Sequence, residues 1–211
     1  MKNMPDKDAP ARRPRGRPRG FDRDEALAAA TATFWRLGYE GASIADLTAA
    51  MGITPQSLYA AFRSKADLHR EALEWYRANV GADASRALAE EADVVEAIDR
   101  LLRDSARTFS RHADRRGCMV STAVLACAAE NRPVADHAAA LRRDACRVLE
   151  ERIARGIADG QLRPDCDAAA LARYVGAVIQ GMSVQARDGA DEADLTAIAT
   201  LALDALTSRR A

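Results

Sequence analysis

From Ser43 to Phe62 the chain reads Ser43-Ile44-Ala45-Asp46-Leu47-Thr48-Ala49-Ala50-Met51-Gly52-Ile53-Thr54-Pro55-Gln56-Ser57-Leu58-Tyr59-Ala60-Ala61-Phe62. Ser43 and Asp46 stand at capping-box spacing, so the serine hydroxyl accepts an amide that the first helical turn leaves unpaired. Ile44, Leu47 and Met51 form the buried stripe of that helix, and Gly52 ends it. Thr54-Pro55 then opens a second helix, with proline at the first helical position, where its missing N–H costs nothing. This helix is short and ends near Phe62. Two helices joined by Gly52-Ile53-Thr54 read as a helix-turn-helix.

The second helix must bury one face and offer the other. At about 100° per residue, Leu58, Ala61 and Phe62 share the inner side. Gln56, Ala60 and Arg63 point the opposite way, with Ser57 and Tyr59 on the flanks. That outer face suits a DNA major groove: Gln reads adenine with two hydrogen bonds, Ser reaches a base edge and Ala touches a thymine methyl. Thr54 and Tyr59 carry hydroxyls that suit phosphate or base-edge contacts. Lys65, the one lysine outside residues 1–20, sits in a helix's first turn, where the macrodipole opposes a cation. A phosphate at that spot would resolve the conflict. Ser43 reads equally as a phosphate contact or as a plain cap.

Outward from this corner the pattern is helical throughout, rich in Ala and poor in β-branched runs. We expect an all-α chain of about nine helices, with an N-terminal three-helix unit ahead of a C-terminal helical domain for ligand binding and dimerisation. The first helix spans about 22–37, with Leu27, Ala30, Phe34 and Leu37 on one face and Gly38 as its stop. Ser64-Lys65-Ala66-Asp67 opens a long fourth helix to about Val80. Further helices are expected near 93–113, 117–128, 133–159, 167–187 and 191–208. The expected division is an arm over 1–20, a helix-turn-helix domain over 21–66 and an effector-binding and dimerisation domain over 67–211.

The 211 residues carry 31 Lys+Arg and 31 Asp+Glu, a net charge of zero. The halves differ: residues 1–70 hold 12 basic and 8 acidic groups, and residues 71–211 hold 19 and 23. Such asymmetry suggests a basic arm with a polyanionic partner. Within the arm, Pro14-Arg15-Gly16-Arg17-Pro18-Arg19-Gly20 resembles an AT-hook core, whose arginines fit a narrow minor groove; a solvated tail is the other reading of Arg15, Arg17 and Arg19. No stretch is long and apolar enough to span a membrane, and no apolar segment follows the basic residues as in a secretory signal. Cys118, Cys127, Cys146 and Cys166 show no CxxC spacing, and no histidine pairs with them as a metal ligand would. The chain reads as reduced and cytoplasmic, without metal or cofactor. No phosphate loop or Ser/His/Asp set argues for an enzyme.

Residues 21–73 resemble the DNA-binding domain of the TetR/AcrR family of transcriptional regulators. The resemblance is carried by Phe34, Gly38, Tyr39, Gly41, Ser43, Ile44, Ile53, Ser57, Leu58, Tyr59, Phe62, Lys65, Leu68 and Leu73. It implies phosphate contacts at Tyr59 and Lys65, major-groove contacts at Gln56 and Ser57, and a homodimeric repressor released from double-stranded, palindromic operator DNA by a small molecule. Gly117-Cys118-Met119 followed by Asn131-Arg132-Pro133-Val134 is similar to one subgroup of that family. The resemblance fades after about residue 165.

Effector candidates follow from the two helices that surround the ligand in the family: Phe109, His112, Cys118, Met119, Thr122 and Leu125. Cys118, near a helix start and beside Arg115 and Arg116, is also a candidate thiol sensor of oxidants or electrophiles; the alternative is an inert buried thiol. For the dimer, Tyr174, Ala177, Gln180, Gly181 and Val184 offer close helix approach, and Ile198, Leu201 and Ala205 a partner stripe. A non-regulatory helical binding protein is the competing class, and it leaves Tyr59, Lys65 and the arginine arm unexplained.

Overall fold

A computed structural model of the chain describes residues 20–111 and 116–211. Among these it forms ten α-helices: α1 Arg23–Gly41, α2 Ile44–Met51, α3 Pro55–Phe62, α4 Lys65–Asn79, α5 Ala82–Glu90, α6 Val94–Ser110, α7 Met119–Thr122, α8 Arg132–Ala158, α9 Ala168–Asp188 and α10 Glu192–Thr207. A 3-10 turn, Ala129–Asn131, precedes α8. The fold is all-α as expected; among the described residues the only extended pairing is an isolated bridge between Leu162 and Arg210.

Local chemistry sets the helix starts. Asp22, Ser43, Thr54, Ser64, Asp93, Asp167 and Asp191 each accept a first-turn amide with the side chain, and Ser43–Asp46 and Asp191–Asp194 form complete capping boxes. Gly52 closes α2 in the left-handed conformation, at φ 64° and ψ 30°.

Three expectations need correction. First, Gly38 interrupts α1 after Leu37 but not as a left-handed cap: its φ of 73° and ψ of 175° are non-helical, and a further helical turn follows across the kink to Gly41. Second, α5 is an extra helix; it starts at Gly81 with no side-chain cap, so the sequence carries no start signal for it. Third, the helix expected over 117–128 shrinks to the single turn α7. Ala123 is extended, and Val124 has φ 47°, a conformation a β-branched side chain rarely adopts. Arg142 of α8 donates from Nη1 to the carbonyls of Val120 (3.1 Å) and Ala123 (2.8 Å), satisfying that end of α7 from outside.

Two apolar cores run through the molecule. One joins α1–α4, around Phe34, Leu47, Leu58, Phe62, Leu68 and Leu73, and it also takes Met119 and Ala123 from the α7 region and Val134, Ala138 and Leu141 from the first half of α8. The other joins α5, α6, α9 and α10 with Leu149 and Ile153 from the second half of α8. Helix α8 therefore belongs to both. A second tie links α1 to the loop before α7 and to α9: Trp35 Nε1 donates to the carbonyls of Arg116 and Gly117 (both 3.1 Å), and Arg187 Nη1 donates to the carbonyls of Trp35 and Arg116 (both 3.3 Å). Only glycine fits at 117. Its φ is 62°, and a Cβ there would lie 2.3 Å from the Ser183 carbonyl oxygen.

Candidate nucleic-acid interface

Helices α1, α2 and α4 hold α3 by its inner face. Leu58 and Phe62 are fully buried, while Gln56, Tyr59 and Ala60 are exposed and Ser57 is half-buried. Tyr59 is 48% exposed, so its hydroxyl is free to reach a partner beyond the surface of α3. Arg23 of α1 braces the unit: it is ion-paired to Glu71 of α4 at 2.6 Å, and its guanidinium lies 4.5 Å from the centre of the Phe62 ring. This brace lay outside the sequence expectations, because no local pattern links positions 48 residues apart.

The other expected contact residues are placed as follows. Thr54 caps α3 and shares a hydrogen bond with Ser57, Oγ1 to Oγ 3.0 Å apart. Ser43 accepts the Asp46 amide, and its own hydroxyl donates to the Asp46 carboxylate at 2.5 Å. That serine thus has its proton engaged, which favours the cap over the phosphate contact; the same bond holds the Asp46 carboxyl below its usual pKa. Lys65 is half-buried, with Nζ 4.5 Å above the Tyr39 ring. Burial pushes its pKa down and nearby Glu40 pulls it back up. Arg63 is exposed but not helical: it stands beyond the last residue of α3 with φ 67° and ψ −53°. Arg15, Arg17 and Arg19 lie outside the described residues.

A cavity of about 880 Å³ opens among α4–α9, with Tyr76, Leu101, Phe109, Cys118, Leu149 and Ile179 in its wall. Of the effector candidates, Phe109 and Cys118 line it. Met119 and Thr122 line a smaller cavity instead, and Leu125 is 68% exposed outside both. His112 lies outside the described residues. The cavity's polar groups include two that sequence reading passed over, Tyr76 and Arg142. Tyr76 is buried beside the Cys118 thiol, which raises its pKa well above the usual tyrosine value. Burial, then Arg143, lowers that of Arg142. Cys118 caps α7, its Sγ accepting the Ser121 amide at 3.4 Å, and its own amide donates to Ser183 Oγ at 2.7 Å.

On α9 and α10, Tyr174, Ala177, Gln180, Gly181, Val184 and Leu201 are exposed, whereas Ile198 and Ala205 are half-buried. No helix of the described residues is long and apolar enough to cross a membrane.

A buried-backed α3 presented at a helix-turn-helix corner, over a helical body with a ligand-sized cavity, defines a DNA-binding regulator. Comparison with known proteins gives the family. Residues 26–72 match the model of bacterial regulatory proteins of the tetR family, and residues 94–201 match the tetracyclin repressor-like C-terminal domain. Over 186 residues the chain is 34% identical to the HTH-type transcriptional repressor ComR of Escherichia coli K12, covering 88% of this chain and 89% of that protein. It is 31% identical to the repressor BdcR of the same organism, covering 90% and 92%. A solved structure of a cysteine mutant of the TetR-family regulator CifR, complexed with 26-base-pair operator DNA, is 44% identical with a TM-score of 0.86, covering 90% of this chain and all of that one. The protein belongs to the TetR family of bacterial transcriptional regulators.

Proposed function

We propose that this chain is a homodimeric repressor that binds operator DNA and leaves it when a small molecule fills the large cavity. The observation that carries the reading is the outer face of α3, where Gln56, Ser57, Tyr59 and Ala60 are presented by a rigidly buried inner face. Gln56 and Ser57 are assigned to base edges, and Tyr59, Thr54, Arg63 and Lys65 to phosphates. Residues 21–66 form the reading unit and 67–211 the regulatory one. The exposed small and apolar residues of α9 and α10, Tyr174, Ala177, Gln180, Gly181, Val184 and Leu201, flanked by Ile198 and Ala205, supply the two-fold interface. The two α3 helices of the dimer then meet half-sites about 34–36 Å apart.

Release follows from differential affinity: an effector that binds the DNA-incompetent arrangement more tightly shifts the population toward it. We assign no catalytic step to the chain and place its action in the cytoplasm, where the DNA is. We favour a reversible ligand over covalent chemistry at Cys118, because the cavity of about 880 Å³ that this sulfur lines is large enough to enclose a whole small molecule.

The test is selection of bound DNA from a random pool at two salt concentrations, followed by addition of candidate metabolites to the complex. A palindromic site is expected, with affinity falling steeply as salt rises. Affinity flat with salt, or no enriched sequence, would overturn the reading.

A further inference from the structure

Arg142 of α8 is a half-buried cation in the wall of the large cavity, and among the described residues no carboxylate pairs with it. We propose that the effector is a monocarboxylate with an apolar body, its head group held by the Arg142 guanidinium. This rests on the release reading above and names the ligand class of that same cavity.

The other charges of the wall are already provided for. Glu74 stands 3.6 Å from Arg77, and Asp144 stands 3.9 Å from Arg147, so both acids face arginines. Arg143 and Arg173, the remaining cations of the wall, are exposed and keep their water. Arg142 differs from them. Burial pushes its pKa down, and Arg143 pushes it further the same way. A cation withdrawn from water without a partner is unfavourable, and an anion carried in by the ligand offsets that.

The fork of Arg142 is half used. Nη1 donates to the carbonyls of Val120 and Ala123, but Nε and Nη2 bond no other group among the described residues and are not sealed off from solvent. Nε and Nη2 share one edge of the planar group, the edge that takes both oxygens of a carboxylate. A phosphate monoester would bring close to two charges to a site with one unpaired buried cation.

The body of the ligand follows from the rest of the wall. Leu88, Leu101, Phe109, Leu149 and Ile179 are apolar, and the buried Ser105 hydroxyl already donates to the Leu101 carbonyl at 2.7 Å. The cavity of about 880 Å³ is several times the size that holds one benzene ring, about 150 Å³.

The head group also sits where it can be felt by the reading unit. The guanidinium that would take it holds the end of α7, and Met119 and Ala123 of that region pack in the core of α1–α4. One side chain thus links the ligand's charge to the DNA-facing end, with reciprocal effect on the two affinities.

The experiment is calorimetric titration of the full chain, without DNA, with decanoate and 2-naphthoate, each beside its neutral alcohol, 1-decanol and 2-naphthylmethanol. At least one acid should bind once per chain, about tenfold more tightly than its alcohol. Arg142→Met should erase that preference, Arg142→Lys should keep part of it, and Arg143→Gln should leave it whole. Thr108→Trp, which puts a large ring into the cavity and leaves Arg142 in place, should abolish binding. No binding by either acid, equal affinity for acid and alcohol, a preference that survives Arg142→Met or is lost in Arg143→Gln, or binding that survives Thr108→Trp would each overturn the proposal. The bound acid is then added to the operator complex. Binding that leaves operator affinity unchanged would overturn its role as effector. Acid binding with the expected preference, in a chain that selects no operator, would uphold the carboxylate site and overturn the regulator reading alone.

Discussion

Arg63 joins α3 to α4 through a turn that a side chain resists. The Ser64 amide donates to the Phe62 carbonyl at 2.8 Å, two residues back, with Arg63 between them at φ 67° and ψ −53°. This is a γ-turn of the strained, positive-φ kind. On the proposed reading, the Arg63 charge meets a phosphate, which offsets the backbone cost. Arg63→Gly should therefore raise the unfolding free energy by about 1 kcal/mol while weakening operator binding. Arg63→Ala should weaken binding equally without the gain in stability. Denaturant midpoints and DNA titrations read the two effects independently.

His69 makes the fold acid-sensitive. Its folded-state pKa of about 4 lies below the unfolded value of 6.5. The unfolded chain thus binds the extra proton first, and stability falls as pH drops from 6.5 toward 4. The size is about 3 kcal/mol by linkage. The capping carboxylates Asp46, Asp67 and Asp93 have lowered pKa values too, and their contribution is lost in a lower window, below their unfolded values. His69→Phe should flatten the upper part of the pH profile of stability and leave the lower part.

At the level of the helix, the proposed function assigns recognition to α3 and attachment to the start of α4. Gln56 is exposed on its outer face, while Lys65 is pinned over Tyr39 at the start of the next helix. Gln56→Ala should relax selectivity at one base pair by about 1–3 kcal/mol, and Lys65→Ala should weaken binding to all sequences alike. Competition assays with single-base operator variants distinguish the two patterns.

What the chain revealed in advance follows the same division. α2, α3 and α4 were legible because their signals are local: Ser43, Thr54-Pro55 and Ser64 are caps within a few residues of the elements they start. α5 was not, because Gly81 supplies no side-chain cap. The short α7 was not, because what ends it is Arg142, about twenty residues downstream on another helix. In the candidate interface the outward residues of α3 could be read from helical periodicity, but Arg23 braced against Glu71 and Phe62, and Tyr39 beneath Lys65, are tertiary facts. The large cavity was the least legible part. Residues chosen for their place on two neighbouring helices split between two cavities and the surface, since periodicity fixes a face but not what that face meets.

Across the whole molecule, zero net charge conceals opposed ends, and residues 21–70 contribute only five basic groups against six acidic ones. The basic excess of the DNA-facing end therefore rests on residues 1–20. Deleting residues 1–19 should lower affinity and flatten its salt dependence, with the largest loss on sites flanked by A·T-rich sequence. Unchanged affinity on such sites would exclude a role for Arg15, Arg17 and Arg19 in the minor groove.

Because Val134, Ala138 and Leu141 of α8 and Met119 of α7 complete the core around α1–α4, the reading head is not an autonomous folding unit. In native-state hydrogen exchange, the amides of α1, α4 and the first half of α8 should open together as one cooperative block, while the second half of α8 exchanges with α6 and α9. A fragment ending after α4 should expose that apolar seam and lose much of its protection, and on the proposed reading an operator-bound complex should slow exchange in the front half of α8.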